Sequence, residues 1–198
     1  MKKILLSASV LALSLGLLQQ ANAGGTSGTQ DGFYYFTYYT GSGTTTITLG
    51  SAGHWSGHWT SGITDSLCGR GWPQNNLVRN INYNAGVLSG NWHSGGEYSW
   101  TPNIETYITD FGNNSGTSYG TINSDGATYT VYRQNPSSTF SQYKNDRSGD
   151  QSRGANHTIT MANHVNKWRS LGWTINLGYP CWSAESFAGP GDVNCTIW

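Results

Sequence analysis

Three glutamates stand in the 198 residues: Glu97, Glu105 and Glu185. Two of them sit where a carboxylate is least expected. In WTPNIETYITDF, residues 100 to 111, strand alternation puts Ile104, Thr106 and Ile108 on one face and Asn103, Glu105, Tyr107, Thr109 and Phe111 on the other. In GYPCWSAESF, Tyr179, Cys181, Ser183 and Glu185 share a parity. Glu is a weak strand former and costly to half-bury, so two mid-strand glutamates, each with a tyrosine on its own face, ask for a use. Retaining cleavage of a glycosidic bond needs two carboxyls about 5–5.5 Å apart, one ionised to attack the anomeric carbon and one protonated to give the leaving oxygen its proton. Facing strands of a curved sheet supply that spacing, and mutual repulsion pushes the two proton affinities apart. The plainer alternative is a pair of exposed strand residues in polar hydrogen bonds. Glu97, in SGGEY, reads as a turn residue.

Strands must position this pair. Short alternating or aromatic runs recur along the chain, among them FYYFTYYT, TTTITLG, HWSGHWT, SYGTINSDGATYTVYRQ and HTITM, with glycine and Asx turns between them. NSDGAT carries a hairpin signal. The one good helical window is ANHVNKWRSLG, with Asn163 as cap, Val165, Trp168 and Leu171 as apolar stripe, and Gly172 as stop. About ten strands and one short helix, without repeat or linker, predict a single antiparallel β-sandwich or curved sheet whose second face is free to form a groove.

The opening MKKILLSASVLALSLGLLQQANAGG has two lysines, an apolar stretch and a small-residue site. It predicts a secretory leader over residues 1–23, a mature domain over 24–198 and a secreted, extracellular or periplasmic protein. The apolar stretch is too short for a membrane span. Without Lys2 and Lys3 the ten basic residues become eight against ten acidic ones, a net charge of minus two. No basic run remains to follow a phosphate backbone, so nucleic acid and anionic membrane are poor partners. A surface rich in Gly, Ser, Thr, Asn, Tyr and Trp and poor in charge suits an uncharged polyhydroxylated ligand, although many secreted β-proteins share it.

Of the three cysteines, Cys181 and Cys195 flank the turn-like FAGPG, and a hairpin there would pair them. HWSGHW puts His54 and His58 on one face, read as hydrogen-bonding surface histidines; no metal or cofactor is expected. No HExxH, phosphate loop or CxxC competes with the glutamates.

With these residues in view, the chain resembles glycoside hydrolase family 11, the small endo-β-1,4-xylanases, from about Phe33 to Trp198. PNIETYITD resembles the nucleophile strand and SAESF the acid/base segment; RNINYNAGV, INSDGATYTVY, TFSQY and ANHVNKWRSLG resemble further family segments. The resemblance implies an all-β, single-domain β-jelly roll of two curved antiparallel sheets with one short α-helix. It implies Glu105 as nucleophile and Glu185 as acid/base, with Tyr98, Tyr107 and Tyr179 as cleft tyrosines and Gln142 near the scissile bond. Tyr39 falls where the family has a sugar-stacking tryptophan. Asp65 falls beside the acid/base, hydrogen-bonded to it, as in acid-active members. It implies a monomer acting on xylan or xylo-oligosaccharides. A departure stands between Tyr132 and Phe140, where RQNPSST replaces the long thumb hairpin, leaving Pro136 and Ser137 as a stump and Arg133 out of line with the family arginine. A related β-glucanase and a non-catalytic carbohydrate-binding module are the alternatives.

Overall fold

The computed structural model describes residues 23–198, so the leader read at residues 1–23 lies, apart from Ala23, outside the described residues. Nine strands make the larger sheet, in the order β1 (Gly24–Gln30), β2 (Phe33–Gly41), β5 (Ile63–Gly71), β13 (Cys181–Ser186), β7 (Ser94–Trp100), β8 (Ile104–Gly112), β11 (Phe140–Arg147), β10 (Ala127–Ser137) and β9 (Thr117–Ser124). The smaller sheet runs β12 (His157–Thr160), β6 (Asn80–Gly90), β14 (Gly191–Ile197), β4 (His54–Trp59) and β3 (Thr45–Leu49). One helix, α1 (Met161–Ser170), follows β12. The all-β jelly roll with one short helix is as expected. Its sheets are antiparallel except for β8 and β11, which run parallel with Glu105 beside Gln142 and Tyr107 beside Lys144.

The core lies between the sheets. Trp55 and Trp59 of β4 with Ile81, Tyr83 and Leu88 of β6 meet Ile108 and Phe111 of β8 and Trp182 of β13, all fully buried. Trp182 is the hub, with ring centroids 6.1 Å from Trp55, 5.3 Å from Tyr83 and 6.2 Å from Phe111. Full burial of one such large apolar side chain is worth about 1.5–3 kcal/mol, so this layer fixes which face of β7, β8 and β13 is left for the cleft.

Every residue of β8 from Ile104 to Phe111 is buried, because one face meets the core and the other floors the cleft. The expected alternation holds for Ile104 through Ile108 and then breaks. The register with β7 slips between Gly95 and Gly96, so Gly96 faces Thr109 while Gly95 faces Phe111. This bulge turns Phe111 to the core, correcting the face assigned to it. Gly96 is needed here, since a Cβ would come 2.1 Å from the carbonyl oxygen of Ile108.

The NSDGAT hairpin forms. Asp125 and Gly126 have φ of +51° and +74°, the pair that a two-residue type I′ turn requires. The same turn starts the helix: the Asp125 carboxylate accepts hydrogen bonds from the Thr160 amide (3.0 Å) and hydroxyl (2.6 Å). The cap position is therefore Thr160, correcting Asn163, which sits inside the first turn and donates to Ser124 Oγ. Val165 and Trp168 are buried as the stripe requires, and Gly172 follows the helix with φ of +76°.

The expected Cys181–Cys195 bridge is absent: all three cysteines are free and buried. FAGPG does not close a hairpin. It carries the chain from β13 in the larger sheet to β14 in the smaller, leaving the two thiols in different sheets. His54 and His58 lie on β4 and bond Thr196 Oγ1 (3.2 Å) and Asp192 Oδ1 (2.8 Å) across to β14, as surface histidines do. Among the described residues no helix is long and apolar enough to cross a membrane.

Candidate active site

The open face of the larger sheet curves into a cleft of about 740 Å³. Its floor is set by strand parity. Glu105 and Tyr107 of β8, Tyr98 of β7, Gln142 of β11 and Glu185 of β13 all point into it, with Tyr34, Phe36, Tyr38 and Asp65 along one wall and Trp100, Tyr179 and Phe187 among the exposed aromatics that line it. Helix α1 locks this arrangement from below. Trp168 Nε1 donates to Asn145 Oδ1 (2.9 Å), and Asn145 Nδ2 lies 2.7 Å from His164 Nδ1. With Tyr143 and Asn145 of β11 held on the core side, Gln142 lines the cleft, and Lys144 lies buried with its Nζ 5.6 Å from the Tyr107 ring.

Both oxygens of Glu105 accept a hydrogen bond, one from the Tyr98 hydroxyl at 2.8 Å and the other from Gln142 Nε2 at 2.6 Å. The two donors fix the orientation of this carboxyl. Glu185 is placed otherwise. It accepts from Ser94 Oγ (3.1 Å) and from the Tyr107 hydroxyl (3.3 Å). Burial first, and then the charges of Asp65 and Glu105, push its pKa up to about 8, so it carries its proton at neutral pH. Tyr107 stands between the two glutamates; after burial, their charges are the next causes that drive its own pKa upward. The hydroxyl thus touches one carboxyl and senses both.

Glu105, Glu185, Asp65, Tyr98, Tyr107, Gln142 and Tyr179 are brought together as the sequence suggested. Tyr179 precedes β13 rather than lying on it, and its ring packs edge-on against Tyr34 at 4.6 Å. Tyr39 is the exception. The β2–β5 register sets Tyr38 beside Leu67 and Tyr39 beside Ser66, and it is Tyr38 and Leu67 that face the cleft. Tyr39 turns to the other face and packs partly buried against the core. Asp65 lines the wall and raises Glu185 through its charge, but its buried Oδ1 has no hydrogen-bond partner, so the expected hydrogen bond to Glu185 is replaced by electrostatic coupling. Burial and the charge of Glu105 raise Asp65 itself to about 6.

Glu97 is no turn residue. It occupies the middle of β7, 1% exposed, on the side away from the cleft. The hairpin of β10 and β11 closes with Ser137 opposite Phe140, and none of residues 135–140 lines the cleft. Arg133 also turns away, bonding Asn135 and Ser141 and lying 5.5 Å above the rings of Tyr143 and Trp173. Sequence reasoning missed Ser94, Trp100, Phe187 and Lys144. Trp100, Phe187 and Lys144 lie two residues from Tyr98, Glu185 and Gln142, so strand parity counted from those positions would have found them.

Comparison with known proteins fits this geometry. Over 194 residues, 86% of this chain and 54% of the relative, it is 35% identical to endo-1,4-beta-xylanase Xyn11B of Cellvibrio japonicus. It is also 35% identical over 212 residues to a bifunctional xylanase/xylan deacetylase of the same organism, covering 94% of this chain and 32% of the relative. With endo-1,4-beta-xylanase 11A of Botryotinia fuckeliana it shares 31% over 209 residues, 96% of this chain and 90% of the relative. The chain thus spans about a third to a half of the two bacterial relatives' length. The family model described as "Glycosyl hydrolases family 11" matches residues 30–196, nearly the whole of the described fold, and the chain belongs to that family.

Proposed function

We propose that this chain is a secreted, monomeric endo-1,4-β-xylanase that cuts xylan with retention, Glu105 acting as nucleophile and Glu185 as acid/base. The observation that carries the reading is the asymmetry of the two carboxyls: Glu105 takes a donor on each oxygen, while Glu185, in the same cleft, is held protonated. Both carboxyls line one cleft, and the Tyr107 hydroxyl that bonds Glu185 feels the charge of each, an arrangement that suits the close carboxyl pair of retaining enzymes. The xylan substrate is supported by the names of the relatives.

In the first step Glu105 attacks the anomeric carbon as Glu185 gives its proton to the glycosidic oxygen, and the leaving chain departs as an alcohol. Ester formation removes the negative charge of Glu105, one of the causes that raise Glu185. The carboxylate left on Glu185 therefore stays free of a solvent proton and is ready to take one from the water whose oxygen displaces Glu105. Tyr98 and Gln142 orient the nucleophile throughout.

Glu105→Gln is expected to lower reducing-sugar release from xylan by on the order of 10⁴-fold or more, with the fold unchanged by circular dichroism. Undiminished release by that variant would sink the reading. Proton NMR of the first product decides stereochemistry: the β-anomer appears first if the cut retains. Parallel assays on cellulose and mixed-linkage glucan separate a xylanase from a β-glucanase.

A further inference from the structure

The chemistry proposed for the pair uses no cation, yet one is built in beneath it. Lys144 is only 7% exposed. The parallel register sets it beside Tyr107, the phenol that bonds Glu185, and its Nζ lies 5.6 Å from that ring's centroid. The hydrogen bond of that Nζ goes to a neutral group, Gln134 Oε1, at 2.6 Å. Gln134 is the last regularly paired residue of β10 before the register breaks toward the hairpin tip.

A buried ammonium bonded to an amide rather than a carboxylate is costly unless anions nearby compensate. Three carboxylates supply that compensation. Burial lowers the pKa of Lys144, and the charges of Glu185 on β13, Glu105 on β8 and Asp146 on its own strand oppose that. His93, in the loop before β7, senses Lys144 in turn, and Tyr132 of β10 and Tyr107 of β8 are its neighbours in register. With Nζ engaged by Gln134 and so little of the side chain open, Lys144 is poorly placed to contact a sugar. It acts through its field.

We propose that Lys144 is a positioning residue for the catalytic pair, a fixed cation held to the base of the short β10–β11 hairpin that favours the ionised form of Glu105 and keeps the proton of Glu185 mobile. The inference rests on the glycosidase reading. In a cleft that no hairpin tip lines, this charge supplies electrostatic order that needs no loop closure.

The test compares wild type, Lys144→Met and Lys144→Arg in two arms. In the first, the pH profile of kcat/KM on a chromogenic xylobioside is expected to move to higher pH on both limbs in Lys144→Met, by roughly half to one unit, because a carboxyl that loses a neighbouring cation keeps its proton longer. Lys144→Arg is expected to restore the wild-type limbs. A merely structural lysine would change the height of the bell and leave its limbs in place, and that result overturns the proposal. The second arm needs no turnover: the carbon-13 titration of the Glu185 carboxyl, followed by NMR, moves upward in Lys144→Met and returns in Lys144→Arg. An unmoved titration also overturns the proposal. A wild type that cuts no xylobioside defeats the glycosidase reading and leaves the NMR arm to decide the electrostatic one. Should Lys144→Met fail to fold, Lys144→Gln enters the same comparison.

Discussion

Asp65 shows how much of this site is decided by single groups. Its buried Oδ1 meets no donor, and after burial itself its charge is the next cause of the raised pKa of Glu185. Replacing it by asparagine removes the charge and keeps the shape. Glu185 in Asp65→Asn is therefore expected to titrate below its wild-type value of about 8, by on the order of one unit, as read from the carboxyl carbon; a titration at or above the wild-type value would refute the coupling. The same comparison explains what could be read from the sequence. Glu105, Tyr107 and Glu185 were legible because their strands alternate apolar and polar residues, so parity has a phase. FYYFTYY has aromatic residues at both parities, so nothing in it distinguishes Tyr38 from Tyr39, and only the pairing of β2 with β5 does so. Parity counted from Gln142 reaches Lys144, but what it does there depends on carboxylates of β8 and β13, far from it in the chain.

Elements with a local code were readable and those held by their neighbours were not. Asp125-Gly126 specifies its own turn, and the stripe of Val165 and Trp168 specifies its own helix. The first strand, GGTSGTQ, has no apolar residue and exists because β2 pairs with it along its full length. Phe111 was assigned to the wrong face because a bulge depends on the partner strand, and the cysteine bridge was expected because a turn signal does not say whether the next strand stays in the same sheet. At this scale Asp125 joins two elements, since burial alone would raise its pKa yet the His164 ring 3.9 Å away and the hydrogen bonds it accepts from Thr160 and Ser124 hold it below the usual carboxylate range. Asp125→Ala removes the helix's acceptor and places a non-glycine, non-Asx residue at positive φ. It is expected to cost about 2–3 kcal/mol in chemical denaturation, with kcat/KM nearly unchanged because the turn lies off the cleft. A variant as stable as wild type would show that the helix start does not depend on this carboxylate.

For the whole molecule, pH acts through a carboxyl that takes no part in the proposed chemistry. Glu97 is wholly buried in β7; one oxygen accepts a long 3.4 Å hydrogen bond from Thr106 Oγ1 and the other has no partner. Burial drives its pKa well above the ordinary value, so the folded chain keeps a proton that the unfolded chain sheds above about pH 4.3. The stability this contributes is complete below that pH and drains away as pH rises toward the folded value, at about 1.4 kcal/mol per unit. Glu97→Gln cannot titrate. Whatever its stability relative to wild type at pH 4, that difference is expected to move in its favour as pH rises from 4 to 7. Denaturant midpoints measured across that range give the answer, and parallel curves for the two proteins would mean that Glu97 is ionised in the fold. Glu185 in the cleft and Glu97 in the interior both lose their protons on the alkaline side. A molecule built this way loses its acid catalyst and its core in the same direction of pH, so Glu97→Gln should widen the range of stability at high pH while leaving the alkaline limb of activity where Glu185 sets it.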